Sequence, residues 1–265
     1  MKKLLTAILV ALTIAVNPIA AAAAGTPSFD TSKLDDGIVT ISHIASARLK
    51  VMVEKDGKKV TYDLKNDGTA ETFPLQLGDG SYKVSVLENI SGTKYKYVST
   101  QNFGLDLSND NEVYLASVQN INWNEDMEAI KLAKELTKGL KKDSDKVKKI
   151  YEYIVNNIVY DYDKLPTLKS DYVPNIESTL ASGTGICYDF SSLFAAMLRS
   201  QGIPTKLVKG YSTNVEGYHA WNEVYDSETG TWITIDTTYD SERRVAGRTF
   251  SMTKDAAQFT KVYEY

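Results

Sequence analysis

Cysteine is almost missing from this 265-residue chain, which holds one, Cys187. A lone cysteine excludes an internal disulfide framework and any cysteine-rich metal site. Histidine is nearly as scarce, with only His43 and His219, and no metal-ligand cluster or glycine-rich phosphate loop stands out. The segment from Asp63 to Pro74 fails as a calcium loop, because Lys65 stands where an oxygen ligand is needed and Pro74 where the bidentate Glu belongs. Beyond residue 24 no run approaches eighteen consecutive apolar residues, so no membrane-spanning helix is expected there. An excess of positive charge is also lacking. With 30 basic and 34 acidic residues the net charge is −4, the wrong sign for a generic nucleic-acid binder.

What the first 24 residues do have is Lys2 and Lys3, an apolar run from Leu4 to Val16, and alanines ending in Ala22-Ala23-Ala24. That is the pattern of a secretory signal peptide, and its removal predicts an exported chain, secreted or associated with the cell wall, that does not remain in the membrane. The remaining chain keeps 28 of the 30 basic residues against 34 acidic ones, a net charge of −6. Export sharpens the cysteine count, since a secreted protein using cysteine structurally would carry an even number. A free thiol kept in an oxidising compartment points to function, with an inert buried thiol as the alternative.

From residue 25 to about 121 the pattern is strand after strand. Ala47, Leu49, Val51 and Val53 alternate with polar or flexible neighbours, and Asp56-Gly57 turns the chain into Val60 to Leu64 as a hairpin. Further short runs are Ile38 to Ile41, Phe73 to Leu77, Tyr82 to Leu87, Tyr95 to Thr100 and Glu112 to Leu115. About seven short strands at this spacing predict a β-sandwich, and Asp79 to Val84 resembles the tyrosine corner of immunoglobulin-like domains. Near residue 122 the composition shifts to Ala, Leu, Lys and Glu, which sets the domain boundary. Met127, Ile130, Ala133 (or Leu132), Leu136 and Leu140 form one amphipathic face. A second helix, capped by Ser144, buries Val147, Ile150, Tyr151, Ile154 and Ile158, and a short one covers Ile176 to Ala181.

Cys187 follows the turn Ser182-Gly183-Thr184-Gly185 and opens an apolar helix, with Phe190, Leu193, Phe194, Met197 and Leu198 at three-and-four spacing before Gly202-Ile203-Pro204. Free backbone N–H groups and the helix dipole at such a position favour a thiolate. A thiol nucleophile needs a base, usually a histidine oriented by a carboxylate or amide. His43 lies in a segment with no other chemistry and is read as structural or surface. His219 shares one face of an alternating strand with Trp221, Glu223 and Tyr225. If the hairpin into Thr231 to Asp236 closes with the four-residue loop Asp226 to Thr229, His219 stands directly opposite Asp236, within carboxylate–imidazole range. A different register would bring Glu223 or another carboxylate into consideration.

Taken in order, Val155-Asn156-Asn157-Ile158-Val159-Tyr160-Asp161-Tyr162, Gly183 to Phe190, Leu198 to Pro204, His219-Ala220-Trp221-Asn222-Glu223-Val224, Trp232 and Asp236 resemble the transglutaminase-like superfamily of papain-type thiol enzymes. The resemblance implies an α+β core with helices packed on an antiparallel sheet. It implies catalytic roles for Cys187, His219 and Asp236, acyl transfer from amide bonds of a protein or peptide through a thioester, and no cofactor or metal. In animal transglutaminases a tryptophan upstream of the cysteine helps hold the oxyanion. No tryptophan occupies that stretch here, and Tyr172 is the first substitute, Tyr160 the second. The expected organisation is therefore a signal peptide over 1–24, an immunoglobulin-like β-sandwich over 25–121 and a transglutaminase-like domain over 122–265. The competing function class is a non-catalytic extracellular or cell-wall binding module that keeps the fold as a scaffold. A complete Cys-His-Asp set favours the enzyme, either a protease or amidase or a cross-linking transglutaminase.

Overall fold

The computed structural model describes residues 25–265; the expected signal peptide lies outside the described residues. The N-terminal region holds strands β1 (Ser28–Asp30), β2 (Ile38–Ser42), β3 (Leu49–Lys55), β4 (Lys58–Leu64), β5 (Glu71–Pro74), β6 (Gly80–Ser91) and β7 (Lys94–Leu105). They form two antiparallel sheets, ordered β1-β2-β5 and β4-β3-β6-β7. The alternation in β3 puts Leu49, Val51 and Val53 in the core. The β3–β4 hairpin turns at Asp56 and Gly57, both with positive φ, as a two-residue hairpin loop requires. The Tyr82 hydroxyl donates to the Leu75 and Gly78 carbonyls, at 2.7 and 2.8 Å, and accepts from the Leu77 N–H at 2.7 Å, tying β6 back to the chain before it.

Two expectations change here. Glu112 to Leu115 is not a strand: Glu112–Tyr114 is a 3-10 turn, whose Val113 and Tyr114 are buried by a helical turn rather than by pleating. The seventh strand is instead β1, too short for its alternation to register in the sequence. His43, directly after β2, is buried rather than on the surface.

The C-terminal region follows as α1 (Glu128–Thr137), α2 (Asp143–Asn157), β8 (Val159–Tyr160), α3 (Ile176–Ser182), β9 (Thr184–Gly185), α4 (Cys187–Arg199), β10 (Thr205–Ser212), β11 (Val215–Asp226), β12 (Thr231–Ile235), α5 (Thr237–Val245), β13 (Thr253–Lys254) and β14 (Phe259–Glu264). Its main sheet is antiparallel, ordered β13-β12-β11-β10-β14. Helix α4 lies against β10 and β11 and is enclosed by α1, α2, α3 and α5. Every residue from Asp189 to Arg199 is buried, so the helix has no solvent face, where the spacing had indicated one apolar stripe. Asn222 of β11 helps fasten it, donating to the Ser191 carbonyl at 2.9 Å. Ser144 does not cap α2, which begins one residue earlier with no side-chain cap. No helix among the described residues is long and apolar enough to cross a membrane.

The compositional break near residue 122 does not break the packing, because one cluster of buried side chains runs from Ile38 to Tyr265. Arg199, 2% exposed, is a brace across it. Its Nε donates to the Thr205 carbonyl at 2.9 Å, Nη1 to Ala116 at 2.7 Å and Nη2 to Tyr265 at 2.9 Å. Tyr114 adds a hydroxyl bond to Glu264 Oε1 at 2.8 Å, and Ser192 one to the Asn120 carbonyl at 2.8 Å. Replacing Arg199 with Met keeps most of the volume but removes three buried, charge-assisted hydrogen bonds, each worth about 1.5–3 kcal/mol, although the Tyr265 oxygen keeps the Leu207 N–H. Arg199→Met is expected to lower stability by about 3 kcal/mol or more in urea unfolding; an unchanged midpoint would refute the brace.

Candidate active site

The chain around Cys187 is held before the helix begins. β8 runs parallel to β9, with Tyr160 beside Gly185, and the Val159 and Asp161 N–H groups donate to the Gly183 and Gly185 carbonyls at 2.9 Å. Asp189, fully buried, turns its Oδ2 back to accept the Ile186 N–H at 2.9 Å, capping α4 from within its first turn. A Cβ on Gly185 would lie 2.7 Å from the Asp189 Cβ, so only glycine lets the turn close against this carboxylate. Lys164 Nζ donates to the same Oδ2 at 2.6 Å, and the Tyr172 hydroxyl donates to Oδ1. One carboxylate thus anchors the helix start and the loop that passes over it. Neither Asp189 nor Lys164 stood out in the sequence, although a carboxylate three residues past a turn was a readable capping signal.

Cys187 itself is partly exposed, at the open end of the buried helix. His219, 3% exposed, is close enough to Cys187 to feel the thiol, and its Nε2 sits 2.8 Å from Asp236 Oδ2. That leaves Nδ1 for the sulfur. Trp221 stacks alongside, with ring centroids 6.4 Å apart, and limits how the imidazole can turn. Asp236, fully buried, is also the N-cap of α5: its Oδ1 accepts the Tyr239 N–H at 3.0 Å. The sequence reading ran this aspartate into the strand and missed α5, although an Asp before a helix is a preferred cap.

The pairing of His219 with Asp236 is reached by a register other than the one expected. Asp226 pairs with Thr231 and Asn222 with Ile235, so the loop is Ser227 to Gly230 and no residue of β12 stands directly opposite His219. The offset is even, which leaves every side chain on its original face. Asp236 meets the imidazole from just past the strand end, as a diagonal neighbour reaching across. Glu223 is not an alternative, since it pairs with Lys261 at 2.8 Å.

Burial alone would lower the His219 pKa, but the Asp236 charge and the bonds to Asp236 and Cys187 outweigh it and push the value up to about 10. The imidazole is held as imidazolium beside a sulfur. Of the two tyrosines proposed for the oxyanion, Tyr172 has its hydroxyl committed to Asp189. The Tyr160 hydroxyl has no hydrogen-bond partner among the described residues, and burial together with the Cys187 charge pushes its pKa up to about 12.

Residues 130–237 match the family model described as the transglutaminase-like superfamily. This segment, with its buried helix on an antiparallel sheet, is similar to a transglutaminase-like core. Among curated proteins the chain is 33% identical over 126 residues to the uncharacterized protein YebA of Bacillus subtilis (strain 168), covering 40% of this chain and 17% of that one. It is 36% identical over 91 residues to the uncharacterized protein ML0607 of Mycobacterium leprae (strain TN), covering 28% of this chain and 32% of that one. The chain therefore spans a third or less of the length of these relatives. Among solved structures, a candidate cysteine protease from Cytophaga hutchinsonii aligns with a TM-score of 0.48 and 16% identity, over 86% of this chain and 79% of that one.

With two histidines in the chain, the His219 ring can be followed by proton NMR. It should stay protonated through neutral pH and lose its proton near the raised value, about 10. Asp236→Asn removes the charge that favours imidazolium while burial still opposes it, so the titration should move down by roughly one to three pH units. A midpoint left in place would show that Asp236 does not hold the ring.

Proposed function

We propose that the chain is a thiol-dependent acyl-transfer enzyme acting on amide bonds of proteins or peptides, with Cys187 as nucleophile, His219 as proton donor and Asp236 as its orienting carboxylate. The observation that carries this reading is the single, partly exposed thiol beside an imidazole whose other nitrogen is held at 2.8 Å by a buried, helix-capping carboxylate. A buried thiol of purely structural use needs neither the exposure nor the charged partner. In the reaction, Cys187 Sγ attacks the carbonyl carbon, and the C–N bond breaks as His219 Nδ1–H protonates the departing amine. A thioester and a neutral imidazole remain. Water or a second amine then attacks, giving hydrolysis or transamidation, as His219 takes the proton from the incoming nucleophile.

The oxyanion formed in each half is served by the Cys187 N–H, which is free at the first position of α4. Tyr160 is the better second donor, since its hydroxyl is unengaged and lies near the sulfur, while that of Tyr172 is committed. The same reading takes the chain as exported, on the pattern of residues 1–24. It takes residues 25–121 as an immunoglobulin-like sandwich that serves attachment, supported by two facing antiparallel sheets and the Tyr82 tie.

Mass spectrometry of the protein mixed with activated peptide esters tests this directly, with hydroxylamine as acceptor to separate transfer from hydrolysis. An acyl adduct on Cys187 is expected, and Cys187→Ala and His219→Ala should each abolish turnover while the fold persists. Near wild-type turnover in Cys187→Ala would exclude the mechanism. A folded protein whose thiol stays inert would favour the scaffold. Tyr160→Phe should cost about 10- to 100-fold in kcat, less than the loss of a strong backbone-type donor, with Tyr172→Phe costing much less. The reverse order would return the oxyanion role to Tyr172.

A further inference from the structure

Three carboxylates in the C-terminal core are fully buried and each has a cationic or protonatable partner: Asp189 with Lys164, Asp240 with Lys254 and Asp236 with His219. Lys209 is the converse case. It lies in β10, where it pairs with Ala220 while the next residue, Gly210, pairs with His219. A Cβ on Gly210 would come within 2.0 Å of the Thr260 carbonyl, so only glycine lets β10 and β14 approach this closely. The Lys209 Nζ stands 3.4 Å from the centroid of Tyr188, the residue after the cysteine, and 5.2 Å from that of Tyr265. Its side chain is largely buried, yet among the described residues it has neither a salt bridge nor a hydrogen bond. Two aromatic faces compensate an ammonium only in part, for three N–H donors remain without acceptors.

Burial lowers this amine and the Cys187 charge opposes part of that, for a net value of about 8. It is therefore mostly protonated at neutral pH. Tyr218, half exposed, also feels the Cys187 charge. A cation, a thiol and a tyrosine wall occupy the same side of the site, and the sulfur already has its own counter-charge in His219. The remaining capacity of Lys209 suits an anion that arrives with the substrate.

We propose that Lys209, between Tyr188 and Tyr265, is a carboxylate-binding subsite, so that the acyl donor this site accepts bears a free carboxylate next to the reacting carbonyl. The proposal rests on the acyl-transfer reading of Cys187. A carboxylate placed there would receive a charge-assisted hydrogen bond in a largely desolvated setting, which is where such bonds discriminate between charged and neutral isosteres.

Iodoacetate and iodoacetamide test this without knowledge of the substrate, because they differ only in carboxylate against amide. With either, Cys187 Sγ forms the C–S bond as the C–I bond breaks and iodide leaves. The ratio of the iodoacetate rate to the iodoacetamide rate should fall about 10-fold in Lys209→Met and in Lys209→Gln, while the iodoacetamide rate changes little. Near-ultraviolet circular dichroism confirms the fold of each variant. Protection of the wild-type thiol by N-acetyl-aspartate amide or by N-acetyl-alanine, with N-acetyl-asparagine amide ineffective, would support the subsite and distinguish a side-chain from a terminal carboxylate. An unchanged ratio in both folded variants overturns the proposal. An equal loss toward both reagents overturns it as well, by assigning Lys209 to the thiolate. A wild-type thiol inert to iodoacetamide would instead overturn the acyl-transfer reading, and this inference with it.

Discussion

Helix α4 is buried from Asp189 to Arg199, and most of the C-terminal core follows from that enclosure. A helix without a solvent face satisfies its backbone internally except at its ends, where four N–H groups at the start and four carbonyls at the finish need other partners. At the finish, Arg199 turns away from the helix to bond three carbonyls from separate parts of the chain. At the start, Asp189 caps the first turn from inside, and Cys187 occupies the opening that remains. The free N–H groups that make this end costly to bury also suit it to a thiolate and to an oxyanion. The same constraint that demands capping thus creates the place for chemistry.

The charges of the core are distributed by what each pairing must do. Asp240 is met by Lys254 at 2.6 Å and by the Tyr151 hydroxyl at 2.7 Å; burial raises its pKa, and these partners oppose that. Asp189 has Lys164, and both pairs fix structure. Asp236 alone faces a histidine, whose second nitrogen is available to the thiol. Among buried partners for a carboxylate, only an imidazole can both keep the pair together and pass a proton on. Structural and chemical sites therefore share one design and differ in the titration range of the partner.

The N-terminal sheets are not loosely appended. Tyr62 meets Tyr265 with ring centroids 5.6 Å apart and Tyr114 meets Trp232 at 5.3 Å, so aromatic packing and the Arg199 brace join them to the sheet that carries His219. This contact approaches the core from β12 and β14, through Trp232, Glu264 and Tyr265. Helix α4 is met as well, through Arg199 to Ala116 and Ser192 to Asn120.

Much of this was legible in the sequence because it is local. Periodicity places β3, β4, α1 and α2; the Asp56-Gly57 turn states its own geometry; and the lone cysteine after Gly183 and Gly185 marks a helix start. Tertiary structure decided the rest, where two distant segments had to meet. Asp236 reaches His219 as a helix cap beyond the strand end, in a register that an uninterrupted hairpin ladder does not predict. Tyr172 was drawn off to Asp189 and Tyr160 left beside the thiol by a loop anchored on a carboxylate 17 residues from one of them. Sequence determines which side chains are present and how each short segment prefers to bend. Which hydroxyl or amine is left without a partner depends on long-range contacts, and no local preference records them.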